Sequence, residues 1–550
     1  MPEIPYRAVC LVAATLFFFL AAALLQAANS QQCAECHQEI YDNYLRTPMA
    51  QSSGPIGGGL IRESLDRAAF DHAATAFHYR VVRDGAGFSV AFEKKDGSAR
   101  GAKKLAYFVG SGATARSYLL QDDGYLFEAP VAYYSANRRW GLAPGYETYA
   151  YPYLTRPVMP ACLTCHASSI AVVAGTQNRY GDLPVGEGGV SCERCHGPGE
   201  GHIEAMREGG PNSGTAIVNP ARLSPESRDA VCAQCHLTGE VRVMRPGRDW
   251  QSFQVGQRLS DSMTFFVRAG AMPGMKVTSH VEKLAQSACK RSSGDRLWCG
   301  TCHDPHVVPA ASERAAWFRR KCLGCHDSAP CKETKEARAV QQDDCTACHM
   351  PKTHVTDAQH VVYTDHSIPR RPRGEAVVRA SADLTVFGGA RADPRDLAVA
   401  YGIVASRTRS AADKARALAA LEQAEHASPA DVEVLLYLAE LYRNGDQEDK
   451  AVPLYRRAIE LDPSQVTASV GLGGILMERG EFSEAIRLWQ DALAKNAGLE
   501  LVRINMAVAQ WRSGDPQGAE RTLNRAIELN PGFAAPVDLL QKLRQEMRLR

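Results

Sequence analysis

The chain has 550 residues, of which 45% are hydrophobic and 23% charged, with a formal net charge of +2. This is ordinary globular composition, long enough for three or four domains. The balanced charge gives no support to nucleic-acid binding and excludes a strongly basic chain.

Residues 1–30 read as a secretory signal peptide. Arg7 precedes an apolar run from Ala8 to Leu25, and small residues near Ala27, Ala28 and Ser30 offer a cleavage site. The run also approaches the ~20 residues that span a bilayer, so retention as an uncleaved anchor is the alternative. In both cases the protein is expected to be exported, to the periplasm or the cell surface. Cys10 lies inside the run as a passenger.

Just beyond stands Cys33-x-x-Cys36-His37, and the pattern recurs at Cys162/Cys165/His166, Cys192/Cys195/His196, Cys232/Cys235/His236, Cys299/Cys302/His303, Cys322/Cys325/His326 and Cys345/Cys348/His349. These seven copies use fourteen of the seventeen cysteines. Two thiols one helical turn apart can add across the two vinyl groups of a haem while the adjacent imidazole ligates the iron. A zinc half-site or a redox dithiol shares the Cys-x-x-Cys spacing. Zinc, however, has no need of a His directly after the second Cys, and a redox pair has no reason to recur seven times. The expected cofactor is haem c, seven copies, covalently attached, with the motif histidines as proximal ligands. Their fourteen propionates would make the loaded protein more acidic than its sequence and favour basic partners.

The long gap between the first and second motifs reads as β. Alternating or clustered β-branched and aromatic residues surround Asp84-Gly85, Asp96-Gly97 and Asp123-Gly124, which are hairpin signals, so a small antiparallel subdomain is predicted over about 75–135. From 162 to 366 the chain is poor in long apolar periods and rich in Gly, Pro, Cys and His. Short helices are predicted to carry the motifs there, with the haems supplying much of the core.

A connector over 367–395 leads to a region with a different period. Ala424, Ala458, Ala492 and Ala526 recur every 34 residues, and Pro429, Pro463 and Pro531 keep the frame. The best copy, with Leu438, Ala439, Tyr442, Ala451, Tyr455, Ala458 and Pro463, resembles the tetratricopeptide repeat. Four repeats are expected at roughly 396–429, 430–463, 464–497 and 498–531, followed by a capping helix to 550. Pro453 falls within a second helix and should kink it, and Ala497 replaces the repeat's Pro.

Nine histidines lie outside the motifs. His426 belongs to the repeats and reads as a surface residue. The other eight, His72, His78, His202, His280, His306, His354, His360 and His366, nearly match seven irons in number, which argues for bis-histidine ligation. In "CHGPGEGH" a Gly- and Pro-rich bend should present His202 to a neighbour's iron rather than to that of His196. Pro305 in "CGTCHDPH" should do the same for His306. Met49 and Met159 are possible soft ligands. Cys289 and Cys331 fit no motif and could pair as a disulfide.

"CHGPGEGH", "CGTCHDPH", "FRRKCLGCHD" and "CTACHMPK" followed by "HVVYTDHSIPRR" resemble the multihaem cytochrome c superfamily. That superfamily contains the tetrahaem cytochrome of ammonia oxidisers, hydroxylamine oxidoreductase and the pentahaem nitrite reductases. The whole chain is similar to exported bacterial multihaem cytochromes with C-terminal tetratricopeptide repeats. The resemblance implies His202, His280, His306, His360 and His366 as distal ligands, with His72, His78 and His354 as further candidates. No Cys-x-x-Cys-Lys occurs, which lowers the case for catalysis, although hydroxylamine oxidoreductase keeps the His. A catalytic site would need polar groups around an open iron. Tyr146, Tyr149, Tyr151, Tyr153 and Arg156 beside the second motif could supply them, or could simply pack against porphyrin faces.

The expected fold class is multidomain. A seven-haem cytochrome c domain covers 31–366, with short helices and loops around stacked haems and the small antiparallel β subdomain; an all-α tetratricopeptide-repeat solenoid covers 396–550. The expected function is electron transfer between redox partner proteins or with a membrane electron-transfer complex, the repeats docking a peptide or protein ligand and no nucleic acid being involved. The alternatives are a nitrite- or hydroxylamine-type oxidoreductase with one five-coordinate catalytic haem, and a redox-sensing scaffold.

Overall fold

The computed structural model describes residues 30–181, 185–209, 216–270, 274–327, 331–358, 360–370, 381, 383–408 and 410–549. The predicted signal peptide therefore lies outside the described residues except for Ser30. Among the described residues no helix is long and apolar enough to cross a membrane.

Helix α1 (Ser30–Tyr44) carries the first motif and is interrupted at His37, whose φ of −119° and ψ of 38° break the helical run. A nine-stranded antiparallel sheet follows: β1 (Ser53–Pro55), β2 (Ala69–His72), β3 (Phe77–Asp84), β4 (Gly87–Lys94), β5 (Arg100–Val109), β6 (Ala115–Asp122), β7 (Tyr125–Tyr134), β8 (Arg139–Leu142) and β9 (Arg156–Pro157). Strands β2 to β8 pair in sequence order, β1 adds to β5 and β9 to β7. Strands β2 and β8 come back into contact, so the sheet is a nearly closed barrel. Its interior is filled by Phe77, Tyr79, Val90, Phe92, Leu105, Phe108, Tyr118 and Phe127 among others.

This corrects the expected fold class for the first third of the chain. The gap between the first two motifs is β as expected, but in place of a small subdomain at 75–135 within a helical haem domain it forms a barrel spanning 53–157. The Asp-Gly turns do close the central hairpins: Asp84 pairs with Gly87, and Asp122 with Tyr125. The added strands carry no alternation of their own. They are segments of two to four residues, with Pro in β1 and β9 and Trp in β8, recruited by pairing to a sheet already formed.

The barrel hands the chain to short elements: α2 (Pro160–Leu163), α3 (Glu193–His196), α4 (Glu200–Glu208), α5 (Pro225–His236), α6 (His280–Gln286), α7 (Ala288–Ser293), α8 (Cys299–Cys302), α9 (Arg314–His326), α10 (Lys335–Val340) and α11 (Cys345–His349). Interleaved with them are β10 (Val241–Met244), β11 (Met263–Arg268), and a hairpin of β12 (Lys352–His354) and β13 (Val362–Thr364). The predicted linker is not wholly irregular. Within it β14 (Leu384–Val386) pairs with β11, which also pairs with β10.

The C-terminal region is all helix: α12 (Pro394–Arg407) with α13 (Ala411–Ala427), α14 (Val432–Arg443) with α15 (Glu448–Leu461), α16 (Val466–Glu478) with α17 (Phe482–Lys495), α18 (Glu500–Arg512) with α19 (Pro516–Leu529), then α20 (Ala534–Leu549). Helix α15 continues through Pro453. Glycine in the middle of α16 has a packing reason. A Cβ on Gly473 would lie 2.4 Å from the Trp489 ring, and one on Gly471 would lie 2.5 Å from Tyr455.

The solenoid is joined to the rest at two places. Val241, Val243, Phe266 and Leu384 share one apolar core with Ala398, Val399 and Tyr401 of α12. Farther along, the loops after α17 and α19 sit on the barrel. The Asn530 side chain accepts from Leu154 N at 2.6 Å and donates to Thr155 Oγ1 at 2.7 Å, and Arg525 pairs with Asp122 at 2.6 Å.

Candidate functional site

The barrel edge positions the second and third motifs. Val158 N donates to Leu126 O at 3.0 Å, fixing the chain one step before α2, and His166 ends that turn. The carbonyl of His166 accepts from both Ser52 Oγ and Ser53 Oγ at 2.8 Å. The return segment then passes Ser53 and Met49, where a Cβ on Gly189 (φ +59°) would lie 2.0 Å from Ala50 O. Only glycine fits there.

The first motif, distant in sequence, is thereby brought beside the third. Glu187 accepts from Ser30 N and Oγ at 3.1 and 2.8 Å, Ser30 Oγ accepts from Cys192 N at 3.3 Å, and Tyr44 OH donates to Val190 O at 2.6 Å. Met49 serves here through its backbone carbonyl, which accepts from Val190 N and Ser52 Oγ.

The motif thiols meet across motifs. Cys33 hydrogen-bonds Cys192, Cys165 bonds Cys235, Cys232 bonds Cys299, and Cys322 bonds Cys345. Within each of the first three pairs the facing sulfur pushes one thiol up and holds its partner down. Cys302 lies near Cys289 and Cys325, which joins the last two motifs to the others. Cys289 and Cys331 are both free thiols, so the structure does not show the disulfide considered for them.

The two sulfurs of a motif differ in exposure at four of the seven copies. Cys36, Cys162, Cys325 and Cys348 are exposed free thiols. In each of these motifs the other sulfur, that of Cys33, Cys165, Cys322 or Cys345, is the one that hydrogen-bonds a sulfur of a neighbouring motif. Three residues of helix rotate a side chain about 60° from its fellow and move it most of a turn along the axis. One sulfur can therefore face the neighbour while the second stays at the surface. Cys348 shows this most plainly, because it sits on α11, a helix in which no side chain is buried.

The imidazoles gather in two groups. His196 faces His306, ring centroids 6.0 Å apart and planes at 18°; His196 Nδ1 bonds Val218 O at 2.8 Å, and His306 Nδ1 meets Asp304 at 3.2 Å. In the second group His280 lies 5.1 Å from His236 and 5.0 Å from His366, and His366 lies 6.2 Å from His303 at 35°. His366 Nδ1 is tied to Thr364 O at 2.9 Å, and His349 Nδ1 to Pro369 O at 3.1 Å. Fixing Nδ1 leaves Nε2 to face a metal. Burial, reinforced by the surrounding imidazoles, pushes His280 down to about 3 and His303 to about 4, so both stay in the neutral, ligating form.

These residues fit a haem. Two imidazoles on opposite sides of one iron, each bonded at about 2 Å, have centroids about 6 Å apart. The His196–His306 and His303–His366 separations have that value; the 5.1 Å of His236–His280 is shorter. Buried polar atoms without partners also concentrate here: His166 Nδ1, Arg194 Nε, Gln234 Oε1, Arg242 Nε, His280 Nδ1, Glu282 Oε2 and Gln286 Oε1. Such atoms are costly in a purely protein interior.

The other expected ligands are placed differently. His72 and His78 stay in their own hairpin, on Thr75 at 2.8 Å and Asp71 at 3.2 Å respectively. His202 lies in the first turn of α4 rather than in the bend before it. His354 and His360 line a cavity of about 450 Å³ with Asn137 and Val355; the His360 ring lies 5.4 Å from Tyr134. His37 lies near His196, and His326 is exposed.

The tyrosine cluster is held by contacts within the protein. Tyr151 donates to Glu500 at 2.6 Å and stacks on Phe533 at 4.4 Å, Tyr153 donates to Gly498 O at 3.2 Å, and Tyr146 donates to Glu128 O at 2.6 Å. Arg156 pairs with Glu128 at 3.0 Å. Tyr151 and Tyr153 thus belong to the seam between barrel and solenoid, while Tyr146 and Arg156 bond within the barrel. Sequence reasoning also missed Ser30, Ser52, Ser53, Glu187 and Arg242, which act through long-range contacts; only Arg194, inside "CERCH", lay within a recognised motif.

A cytochrome c554-like segment that bears two of the motifs is thus joined to a tetratricopeptide-repeat, protein-interaction module. Residues 151–197, which hold the second and third motifs, match the cytochrome c554 and c-prime family. Residues 409–466, 447–500 and 476–543 match tetratricopeptide repeats. A curated relative, ALBINO3-like protein 3, mitochondrial, of Arabidopsis thaliana, is 32% identical over 82 residues, and the match spans 14% of this chain and 14% of the relative's length. Among solved structures, MamA is similar at 22% identity over 29% of this chain and 88% of its own, with a TM-score of 0.25. PilF of Pseudomonas aeruginosa is similar at 18% identity over 28% and 69%, also with a TM-score of 0.25.

Proposed function

We propose that the protein is an exported electron-transfer cytochrome that carries seven covalently bound haems, one at each motif. The observation that carries this reading is the makeup of the motif-bearing helices. Helix α9 runs for thirteen residues without one buried side chain, and α3, α8 and α11 have none either. A helix with no apolar face of its own is stable only if something packs on it, and a haem joined to its cysteines supplies that surface. The exposed thiols of Cys36, Cys162, Cys325 and Cys348 are open to such a group.

In this reading His196 and His306 would hold one haem iron, and His303 and His366 another. His280 serves the haem of His236, and His202, His354 and His360 remain candidates for the rest. The cross-motif thiol contacts support one connected array, through which electrons hop between haems whose ligands and burial set their potentials. The donor or acceptor is a redox protein or a membrane electron-transfer complex, recruited by the repeats.

The test is a pyridine haemochrome count with low-temperature electron paramagnetic resonance of the oxidised holoprotein, before and after adding nitrite or hydroxylamine. Seven low-spin haems that ignore both ligands are expected. A high-spin signal of about one haem that shifts on addition would overturn the carrier reading in favour of an oxidoreductase.

A further inference from the structure

Arg242 is a cation set in an apolar place. It lies on β10, whose Val241 and Val243 turn toward the solenoid core, so Arg242 takes the opposite face of the strand, toward the motifs. Its guanidinium lies over the Trp250 ring at 5.0 Å and the Phe265 ring at 4.8 Å. Nη2 donates to Leu237 O at 3.2 Å, the carbonyl immediately after His236, while Nε is buried without a partner.

No carboxylate stands within ion-pair distance of Arg242 among the described residues. The charged and titratable groups around it are Glu282, Arg194 and the thiols Cys165 and Cys235. Glu282 is largely committed elsewhere: its Oε1 accepts from Thr238 N at 2.8 Å and Gly239 N at 2.6 Å. An aromatic cage holds a guanidinium in place without neutralising it. Where water is excluded, such a charge acts strongly on its neighbours.

We propose that Arg242 is a positioning residue that raises the reduction potential of the haem attached at Cys232 and Cys235. Reduction adds one electron, delivered by the redox partner, to ferric iron and so removes one positive charge beside a fixed cation. A cation held there favours the ferrous state. The proposal rests on the reading that this motif carries a haem, and two measurements on the full holoprotein separate them. Mass spectrometry of the peptide containing Cys232 and Cys235 shows whether a haem is attached; a peptide without the haem mass sinks the parent reading.

Spectroelectrochemical titration then compares Arg242→Gln and Arg242→Lys with the wild type. The expected result is that Arg242→Gln moves one midpoint to lower potential while Arg242→Lys, which keeps the charge, leaves all of them in place. Unchanged midpoints in Arg242→Gln, or an equal displacement in Arg242→Lys, overturn the proposal. If Arg242→Gln is recovered short of haem, Arg242→Lys decides alone: unmoved midpoints uphold the role of charge and a displaced one overturns it.

Discussion

The solenoid and the motif-bearing region are built from the same kinds of short helix but bury them differently. Helix α16 places Val466, Ala468, Leu472, Ile475 and Leu476 in an apolar core, and α17 adds Leu488, Trp489 and Leu493. Helix α9, of similar length, has no fully buried side chain, and its Trp317 and Phe318 are only half-buried. The first region makes one long core from its own side chains; the second has only small ones, such as that of Ala230, Ala233, Leu237, Phe253 and Phe265 around α5, with thiols and imidazoles gathered beside them. Helical pattern alone therefore says little about what stabilises a helix.

The largest separation between the two regions should come from withholding haem. In full-length chain produced without haem attachment, protease is expected to cut within 160–366 while 394–549 survives as a resistant fragment. Equal digestion of both regions would break the contrast. Trp489→Ala acts in the opposite sense. Its side chain is 1% exposed and fills the space left by Gly473, so it should cost about 3–5 kcal/mol of solenoid stability, read by thermal unfolding, with the haem spectrum unchanged.

A smaller effect is expected at the seam. Burial raises the Glu500 carboxyl to about 7, against the hydrogen bond from Tyr151 and the charge of Arg503. A carboxyl whose pKa is raised on folding stabilises the protonated folded state, so its contribution is complete below about pH 4.5 and is lost as pH rises toward 7. The loss is on the order of 2–3 kcal/mol. Glu500→Gln should flatten the dependence of the solenoid's melting temperature on pH between about 5 and 8; an unchanged slope would show that Glu500 does not carry it. The smallest effect is Tyr151→Phe, which removes one hydrogen bond and should cost about 1 kcal/mol while leaving the Phe533 stack.

The parts legible in the sequence were those with a fixed local spacing. Cys-x-x-Cys-His is complete within five residues, and Ala424, Ala458, Ala492 and Ala526 announce a helix pair every 34. The Asp-Gly turns showed the central hairpins of the barrel. The remainder depends on contacts across long separations. Strands β1 and β9 exist because β5 and β7 offer free edges, and three-residue β14 because β11 does. The spacing of Cys345 and Cys348 is the same as in every other motif, yet only the fold decides which sulfur meets Cys322 and which stays at the surface. Tyr151 and Tyr153 looked suited to a porphyrin face because aromatic side chains near Cys162 fit that purpose equally well. What decided their role was Glu500 for the first and Gly498 for the second, both far along the chain.

The two-point attachment of the solenoid also has a mechanical meaning. A superhelix fastened at one end swings like a tether and presents its surface over a wide range of orientations. This one is fastened through α12 at its start and through the loops after α17 and α19 farther on, so it acts as a braced beam. Any protein seated on it is held at a set distance and angle from the motifs. In the electron-transfer reading proposed above, recognition and the gap an electron crosses are thereby set together.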